Sequence, residues 1–251
     1  MVTPTPILAV VLVVLVLIAV AAVWLAGLPL RAAMVSASAR AVVQLAVVSA
    51  LIVVVFRSIA LTFAYIGMMA AVATVTATRR MSLPLGRLWA SVPVLAGTVP
   101  VVGLILATGT VPWKPESILP IAGIVVGNTM TATILAGRRM LEELGARAGQ
   151  YEAALSLGLG PRASALEVAR PSAALALLPP LDQTRTVGLV TLPGAFVGVL
   201  LGNGTPVQAG AAQVLVLIGL LAAESISVLF TIHLVATRRL MGDELRARLP
   251  V

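Results

Sequence analysis

The chain has 251 residues, of which 60% are hydrophobic and 10% charged, and its mean hydropathy is +1.10. A soluble globular protein carries about a quarter charged residues, so this composition excludes one and indicates several membrane spans in contact with lipid. The net charge of +8 does not indicate nucleic-acid binding, because the arginines lie between apolar runs and aromatic residues are scarce. Cysteine is absent, which excludes disulfides and thiolate metal sites.

Seven apolar stretches predict an all-α bundle of about seven transmembrane helices that forms a single domain over residues 1–251. The first begins after an uncharged N-terminal hexapeptide and is longer than the apolar part of a signal peptide, so we interpret it as a retained span. The sixth is short and is interrupted by Pro193 and several glycines. The stretches are Ile7–Ala26, Ala41–Phe56, Leu61–Ala77, Leu88–Ala107, Ile118–Ala136, Val187–Leu201 and Ala211–Ala236.

The basic residues alternate between the two ends of these spans. Of the 17 basic residues, only Arg57 and Lys114 lie in the loops on one side of the predicted membrane, and the other 15 lie in the loops on the opposite side. Lysine and arginine are retained on the cytoplasmic side, so we predict an external N-terminus, a cytoplasmic C-terminus and an odd number of crossings. The largest predicted cytoplasmic segment covers residues 137–186. The other predicted cytoplasmic segments contain Arg31, Arg40, Arg79, Arg80, Arg87, Arg238, Arg239, Arg246 and Arg248.

A helix–turn–helix is predicted inside that cytoplasmic segment. A helix continues from the fifth span over Arg138 to Gln150, and the chain then reaches two glycines, Gly158 and Gly160. Pro161 suits the first position of a second helix, which we expect to cover Arg162 to Ala169 and to end before Pro171. Leu166 and Val168 would give this unit an apolar contact surface. The pattern fits a docking element below the membrane and equally fits an amphipathic helix at the lipid interface.

The residues Glu152-Ala153-Ala154, followed by Gly158, are similar to the EAA motif of ATP-binding-cassette (ABC) importer permeases. In that family the motif forms the coupling helix, which docks into a groove of a cytoplasmic ATPase. The resemblance therefore implies an ATPase-coupling role for Glu152, Ala153, Ala154, Leu157, Gly158, Gly160, Pro161 and Arg162. The motif ends with proline after two aliphatic positions, and here Arg170 occupies the second of these positions before Pro171.

Longer stretches resemble the FetB (YbbM) family of ABC permeases from about Arg40 to Arg239. They include Leu119–Met130, Leu155–Gly158, Thr186–Gly194 and Arg40–Leu45. The resemblance implies a multi-pass permease of the cell membrane that exports a metal ion such as iron. It further implies a homodimer with two copies of a separate ATPase, which would bind ATP and Mg while this chain binds no cofactor.

Several residues inside the spans are candidates for the transport pathway. Gln44 and Asn128 are polar amides that either bond to a neighbouring helix or line the pathway. Glu224 is an acid near the middle of the last span, where it could bind a cation or be paired within the bundle. Pro193 and Gly194 either form a packing kink or a hinge that lines the pore. The sequence assigns no metal ligands, and we interpret His233 as interfacial and Asp182 with Arg185 as an ion pair at the membrane edge.

Two other functional classes predict sequence features that differ from those of a permease. A secondary transporter or channel independent of ATP would favour paired intramembrane acids or an inverted repeat, and the sequence offers a single such acid and no repeat. An intramembrane enzyme would need a catalytic constellation within the spans, and none is present. The chain has no Walker A sequence, because its only lysine is Lys114. We therefore expect a transporter subunit that is not itself an enzyme.

Overall fold

The computed structural model describes residues 5–84 and 88–250, and its regular structure is helical. Arg87, one of the predicted cytoplasmic arginines, lies outside the described residues. The helices of the first half are α1 (Pro6–Leu25), α2 (Arg31–Val55), α3 (Ile59–Arg80), α4 (Ser91–Ala107) and α5 (Pro115–Ala146). Those of the second half are α6 (Ala148–Ser156), α7 (Pro161–Ala174), α8 (Leu178–Thr186), α9 (Gly194–Leu201), α10 (Pro206–Ala236) and α11 (Asp243–Arg248). Short 3-10 helices, Leu88–Ala90 and Leu175–Leu177, precede α4 and α8.

Six of the described helices are long and apolar enough to cross a membrane, and they correspond to six of the seven predicted spans. They are α1, α2, α3, α5, α10 and the segment Leu88–Ala107 that contains α4. The prediction of an all-α transmembrane bundle is therefore confirmed.

The first compact unit, Met1–Ser58, contains α1 and α2, which pack against each other. Thr5 caps the start of α1 by accepting a hydrogen bond from the Leu8 amide, and Pro6 occupies the first turn. None of the residues of α1 is buried, as expected for a helix that lipid surrounds. The prediction that the second span starts at Ala41 is wrong, because α2 begins ten residues earlier. Alanine-rich sequence without a helix breaker lets the helix extend back to Arg31, which places Arg40 within it.

The second unit, Ile59–Val251, is built around α3, α4, α5 and α10. At one end, a Cβ on Gly137 of α5 would lie 3.5 Å from Thr231 of α10 and would also meet Met81, which follows α3. At the other end, Ile118 of α5 shares an apolar cluster with Val216 of α10. Hence α3, α5 and α10 run in the same direction. Helix α4 runs against them, because Leu106 near its C-terminal end lies in the same cluster as Ile118 near the start of α5.

The basic residues of this unit gather where α3, α5 and α10 come together near their C-terminal parts. We call this the arginine-rich end, and it holds Arg79, Arg80, Arg138, Arg139, Arg238 and Arg239. Lys114, by contrast, lies just before α5 at the opposite end. The alternation used to predict the orientation is therefore present in three dimensions, and the orientation itself stays a prediction.

The chain must return from the arginine-rich end to the opposite end between α5 and α10, because these two helices are parallel. The return path consists of α7, the second 3-10 helix, α8 and α9. The predicted sixth span, Val187–Leu201, is a compact turn followed by the eight-residue α9, with Pro193 immediately before the helix. The expected interruption at Pro193 is found, and this stretch is not one continuous helix.

The C-terminal segment folds back onto the arginine-rich end. Leu240, Met241 and Leu249 are buried in the same apolar cluster as Met140 and Leu144 of α5. Arg238 has a positive φ of 61° and donates a 2.9 Å hydrogen bond to the Leu249 carbonyl. The segment thus forms part of the folded structure at this end of the bundle.

Candidate functional site

Helices α6 and α7 form the predicted helix–turn–helix, and Gly158 makes the turn between them. Gly158 has a φ of +90°, a backbone conformation that glycine adopts without strain. Its amide donates to the Leu155 carbonyl at 2.9 Å, and the Leu159 amide donates to the Ala154 carbonyl at 3.1 Å. These two bonds form a Schellman motif, which satisfies the last carbonyls of α6. Pro161 then begins α7, as predicted.

The tip of this unit presents an apolar side chain to its surroundings. Leu157 is 82% exposed immediately before the turn, and Glu152 and Arg162 are exposed on either side of it. A shallow hollow of about 430 Å³ lies beside the start of α7, and Gly160, Pro161, Arg162, Ala163 and Leu166 line it. We call residues 152–166 the knob.

The predicted apolar contact surface at Leu166 and Val168 is only partly correct. Val168 is buried together with Ala169 and Ala173 on the face of α7 that packs against α5 and α10. The same packing explains why α7 does not end before Pro171, as the sequence predicted, and continues to Ala174. Burial of a continuous apolar face offsets the one hydrogen bond that a proline cannot donate.

One side-chain contact of the knob and one of Tyr151, the residue before it, reach the rest of the unit, and sequence reasoning found neither. The Arg162 guanidinium lies 3.2 Å from His233 Nδ1 on α10. The buried Tyr151, directly before Glu152, donates a hydrogen bond to the Pro250 carbonyl at 3.1 Å. Burial raises the pKa of the Tyr151 hydroxyl, and the nearby Arg238 charge acts in the opposite direction. The hydroxyl therefore stays protonated, and remains a donor, at neutral pH.

Three helices, α4, α5 and α10, meet closely around Gly97 of α4, at the level of the predicted pathway. A Cβ on Gly97 would lie 2.2 Å from Ser227 Oγ and 2.4 Å from the Ala223 carbonyl oxygen of α10. Ser227 donates to the Pro93 carbonyl at 2.9 Å, and the hydroxyls of Thr98 and Thr129 are 3.1 Å apart. This buried set of small hydroxyl residues was missed, because isolated serines and threonines within apolar runs carry no sequence signal of their own.

Glu224 and Asn128 both lie next to residues of this contact. Glu224 follows Ala223 and is 5% exposed, and Asn128 precedes Thr129 and is partly buried. The Asn128 amide donates to the Ile124 carbonyl of its own helix at 2.8 Å. Within residues 5–84 and 88–250, no hydrogen bond or ion pair reaches the Glu224 carboxylate, which is costly for an acid in a helix interface.

The other predicted pathway residues belong to α9 and to the first unit. Pro193 and Gly194 begin α9, where buried Gln213 of α10 accepts a 3.3 Å hydrogen bond from the Phe196 amide. Gln213 thereby satisfies one of the free amides at the start of α9. Gln44 lies on α2 in the first unit and is exposed. In the described part of the chain, no three His, Asp or Glu side chains come together in a way that could hold a metal ion.

Residues 7–240 match the model of the family described as "Uncharacterised protein family (UPF0014)". The UPF0014 membrane protein STAR2 of Oryza sativa subsp. japonica is 35% identical over 86% of this chain and 77% of its own length. Protein ALUMINUM SENSITIVE 3 of Arabidopsis thaliana is 30% identical over 88% of this chain and 82% of its own length.

A further relative is named for transport. The "Probable iron export permease protein FetB" of Escherichia coli (strain K12) is 32% identical over 52% of this chain and 51% of its own length. No solved structure matches the chain. The family match covers both compact units and includes the knob, the Gly97 contact and the return path. The chain is therefore a multi-pass membrane protein that belongs to the UPF0014 family, to which the FetB-type permeases are related.

Proposed function

We propose that the chain is the membrane permease subunit of an ABC transporter that exports a metal ion such as iron across the cell membrane. The working assembly would be a homodimer of this chain with two copies of a separate cytoplasmic ATPase. The proposal is supported by family membership, by the similarity to a relative named as an iron export permease, and by the knob.

The observation that carries the proposal is the exposed leucine at the tip of a rigid turn. A large apolar side chain at 82% exposure, held by the Schellman motif and flanked by charged residues, fits insertion into a groove on a partner protein. The lipid-interface alternative would favour an apolar stripe along the length of a helix, whereas Val168 of α7 faces inward.

The knob can transmit motion because it is connected to the helices that carry the pathway candidates. The buried face of α7 packs against α5 and α10, and Arg162 contacts His233 of α10. Closure of two ATPase subunits would move the knobs, and α5 and α10 would follow as rigid elements. Glu224 and Asn128 lie on these helices, so alternating access would change their surroundings. The break at Pro193-Gly194, and Gln44 of the first unit, are the further pathway candidates of this proposal.

The docking part of the proposal is tested by co-purification with an ATPase expressed together with the chain. Leu157→Glu should abolish retention and stimulation of the ATPase, because a carboxylate cannot enter an apolar groove unpaired. Leu157→Met is the matched control and should keep both. Undiminished retention by Leu157→Glu would show that the knob is not the docking element. If the wild-type chain retains no ATPase and yet transports, a transporter independent of ATP takes the place of this proposal.

The substrate part is tested in proteoliposomes by measuring ATPase activity with iron, manganese, zinc and aluminium in turn. We expect stimulation by at least one of these ions. Glu224→Gln should weaken the apparent affinity for that ion about tenfold, equivalent to about 1.4 kcal/mol, because the amide keeps the shape of the side chain and loses its charge. Equal, flat responses to all four ions would contradict metal export.

A further inference from the structure

The return path between α7 and α9 spans the thickness of a membrane. Its start is fixed by Arg162, which lies 3.2 Å from His233, and its end by the Phe196 amide, which bonds to Gln213. His233 and Gln213 are 20 positions apart on α10, which corresponds to about 30 Å along the helix axis. The hydrocarbon core of a bilayer is about 30 Å thick.

Helix α8 lies between these two contacts and packs against α10. The 3-10 helix before it, Leu175–Leu177, packs against both α5 and α10, and Ala176 in it is buried. The C-terminal end of α8 leads through the turn at residues 187–193 into α9. Helix α8 therefore lies between two segments of the return path that both contact α10.

The outward face of α8 is polar from Asp182 onward, whereas Leu178 and Pro179 at its start are exposed apolar residues. Pro180 is buried toward the bundle, whereas Asp182, Gln183 and Arg185 are exposed. Asp182 and Arg185 approach to 3.5 Å, and their side chains remain 68% and 70% exposed. The ion pair therefore buries little of either charged group, and both groups still require solvation by water or by a protein partner.

Lipid is a poor environment for such a face. An exposed carboxylate, amide and guanidinium within the hydrocarbon region are tolerated only where they line a water-filled space or meet a protein partner. The side chains of Asp182 and Gln183 are too short to reach the membrane surface from a helix held between the two contacts. In these respects α8 differs from α1, where no residue is buried and every exposed side chain in the helix is uncharged.

We infer that the face of α8 formed by Asp182, Gln183 and Arg185 lines a water-filled passage that opens at the arginine-rich end. This places water and an ion pair beside α10, and it assigns α8 to the route of the cargo, an assignment that rests on the proposed transport function. The passage would admit a hydrated ion, and this ion would pass the Asp182 carboxylate and the Arg185 guanidinium one after the other.

Thiol labelling tests the inference directly, because the chain contains no cysteine. Gln183→Cys is treated with a charged, membrane-impermeant thiosulfonate in vesicles that expose the arginine-rich end. The thiolate attacks the thiosulfonate sulfur and displaces a sulfinate, and thiolates form in water and not in hydrocarbon. Ile218→Cys is the matched control, because Ile218 is 60% exposed on the apolar surface of α10. Ser156→Cys, at the exposed end of α6, gives the rate for full water access.

We expect Gln183→Cys to react at least tenfold faster than Ile218→Cys and more slowly than Ser156→Cys. A rate equal to that of Ile218→Cys would overturn the inference, and so would a rate equal to that of Ser156→Cys, since α8 would then lie outside the membrane. If Gln183→Cys does not elute as a single species, Arg185→Cys is labelled instead, and its rate is compared with those of Ile218→Cys and Ser156→Cys. The labelling uses the permease alone, so loss of ATPase docking in Leu157→Glu leaves its outcome unchanged.

Discussion

Gly97 sets the distance between α4 and α10 at the level of the pathway candidates. The Cβ of any other residue would overlap Ser227 Oγ and the Ala223 carbonyl, and the carbonyl belongs to a helix backbone that cannot move alone. Close approach of helices at a small residue is a common way of packing in membranes, where lipid offers no hydrophobic driving force between them. The neighbouring Glu224 therefore depends on Gly97 for its position.

Gly97→Ala should destabilise the protein by about 2 kcal/mol, because the added methyl forces two helix backbones apart. Gly103→Ala, on the same helix with no atom within 4 Å of the new Cβ, should be neutral or slightly stabilising. The measurement is the thermal unfolding midpoint of each variant in detergent. Equal midpoints for the two variants would mean that α4 and α10 do not pack at this point.

At the scale of elements, the C-terminal segment contacts the start of the helix that carries the knob. Tyr151 begins the stretch that leads into Glu152, and its hydroxyl is bonded to the backbone of Pro250. The guanidinium groups of Arg238 and Arg246 each donate to the backbone carbonyl of the other residue. A tail that is fixed at both ends in this way holds α6 at a defined angle to α5.

Tyr151→Phe removes this hydrogen bond without changing the volume of the buried ring. We expect the tail to undock about 1 kcal/mol more readily, which should speed tryptic cleavage at Arg246 and Arg248 about fivefold. Tyr65→Phe, at the other tyrosine of the chain, is the control and should not change the rate.

The same contact has a defined pH dependence. Because burial raises the pKa of Tyr151 above the ordinary value of 10.0, its contribution to stability is fully present below pH 10. It is lost as the pH rises from 10 through the raised value, because the unfolded chain ionises first. A cleavage rate that stays flat between neutral pH and pH 10 would agree with this sign, whereas undocking below pH 9 would contradict it.

At the scale of the whole molecule, α5 and α10 are parallel. The broken segment between them must therefore be counted as a further membrane span. With it, the spans number seven and the two termini face opposite sides, as the charge pattern predicts. Without it, the segment between α9 and α10 would lie on the same side as the knob.

Single cysteines decide between these topologies. Gly202→Cys introduces a side chain that meets nothing closer than 3.4 Å, and Ser156→Cys lies at the end of α6. An impermeant reagent applied to intact cells should label Gly202→Cys and spare Ser156→Cys, and inverted vesicles should give the reverse. Labelling of both residues from one side would rule out the crossing between α7 and α9.

The sequence alone was enough for the features that depend on local composition. Apolar runs of about 20 residues located six long helices, because lipid demands continuous apolar length. Glycine and proline located the turn at Gly158 and the start of α7 at Pro161, because their backbone preferences act locally. The exposed Leu157 belonged to a motif that could be found by resemblance.

Only the tertiary structure decided which side chains face one another. Val168 turned inward and α7 continued past Pro171 because α5 and α10 offered an apolar surface, which lies far away in sequence. The contacts of Arg162 with His233 and of Tyr151 with Pro250 join residues 71 and 99 positions apart. No local pattern encodes such pairs, since the free energy that fixes them comes from burial between whole helices. For the same reason, the packing of α8 against α10 could not be predicted from Asp182 and Arg185, which the sequence showed only as an ion pair.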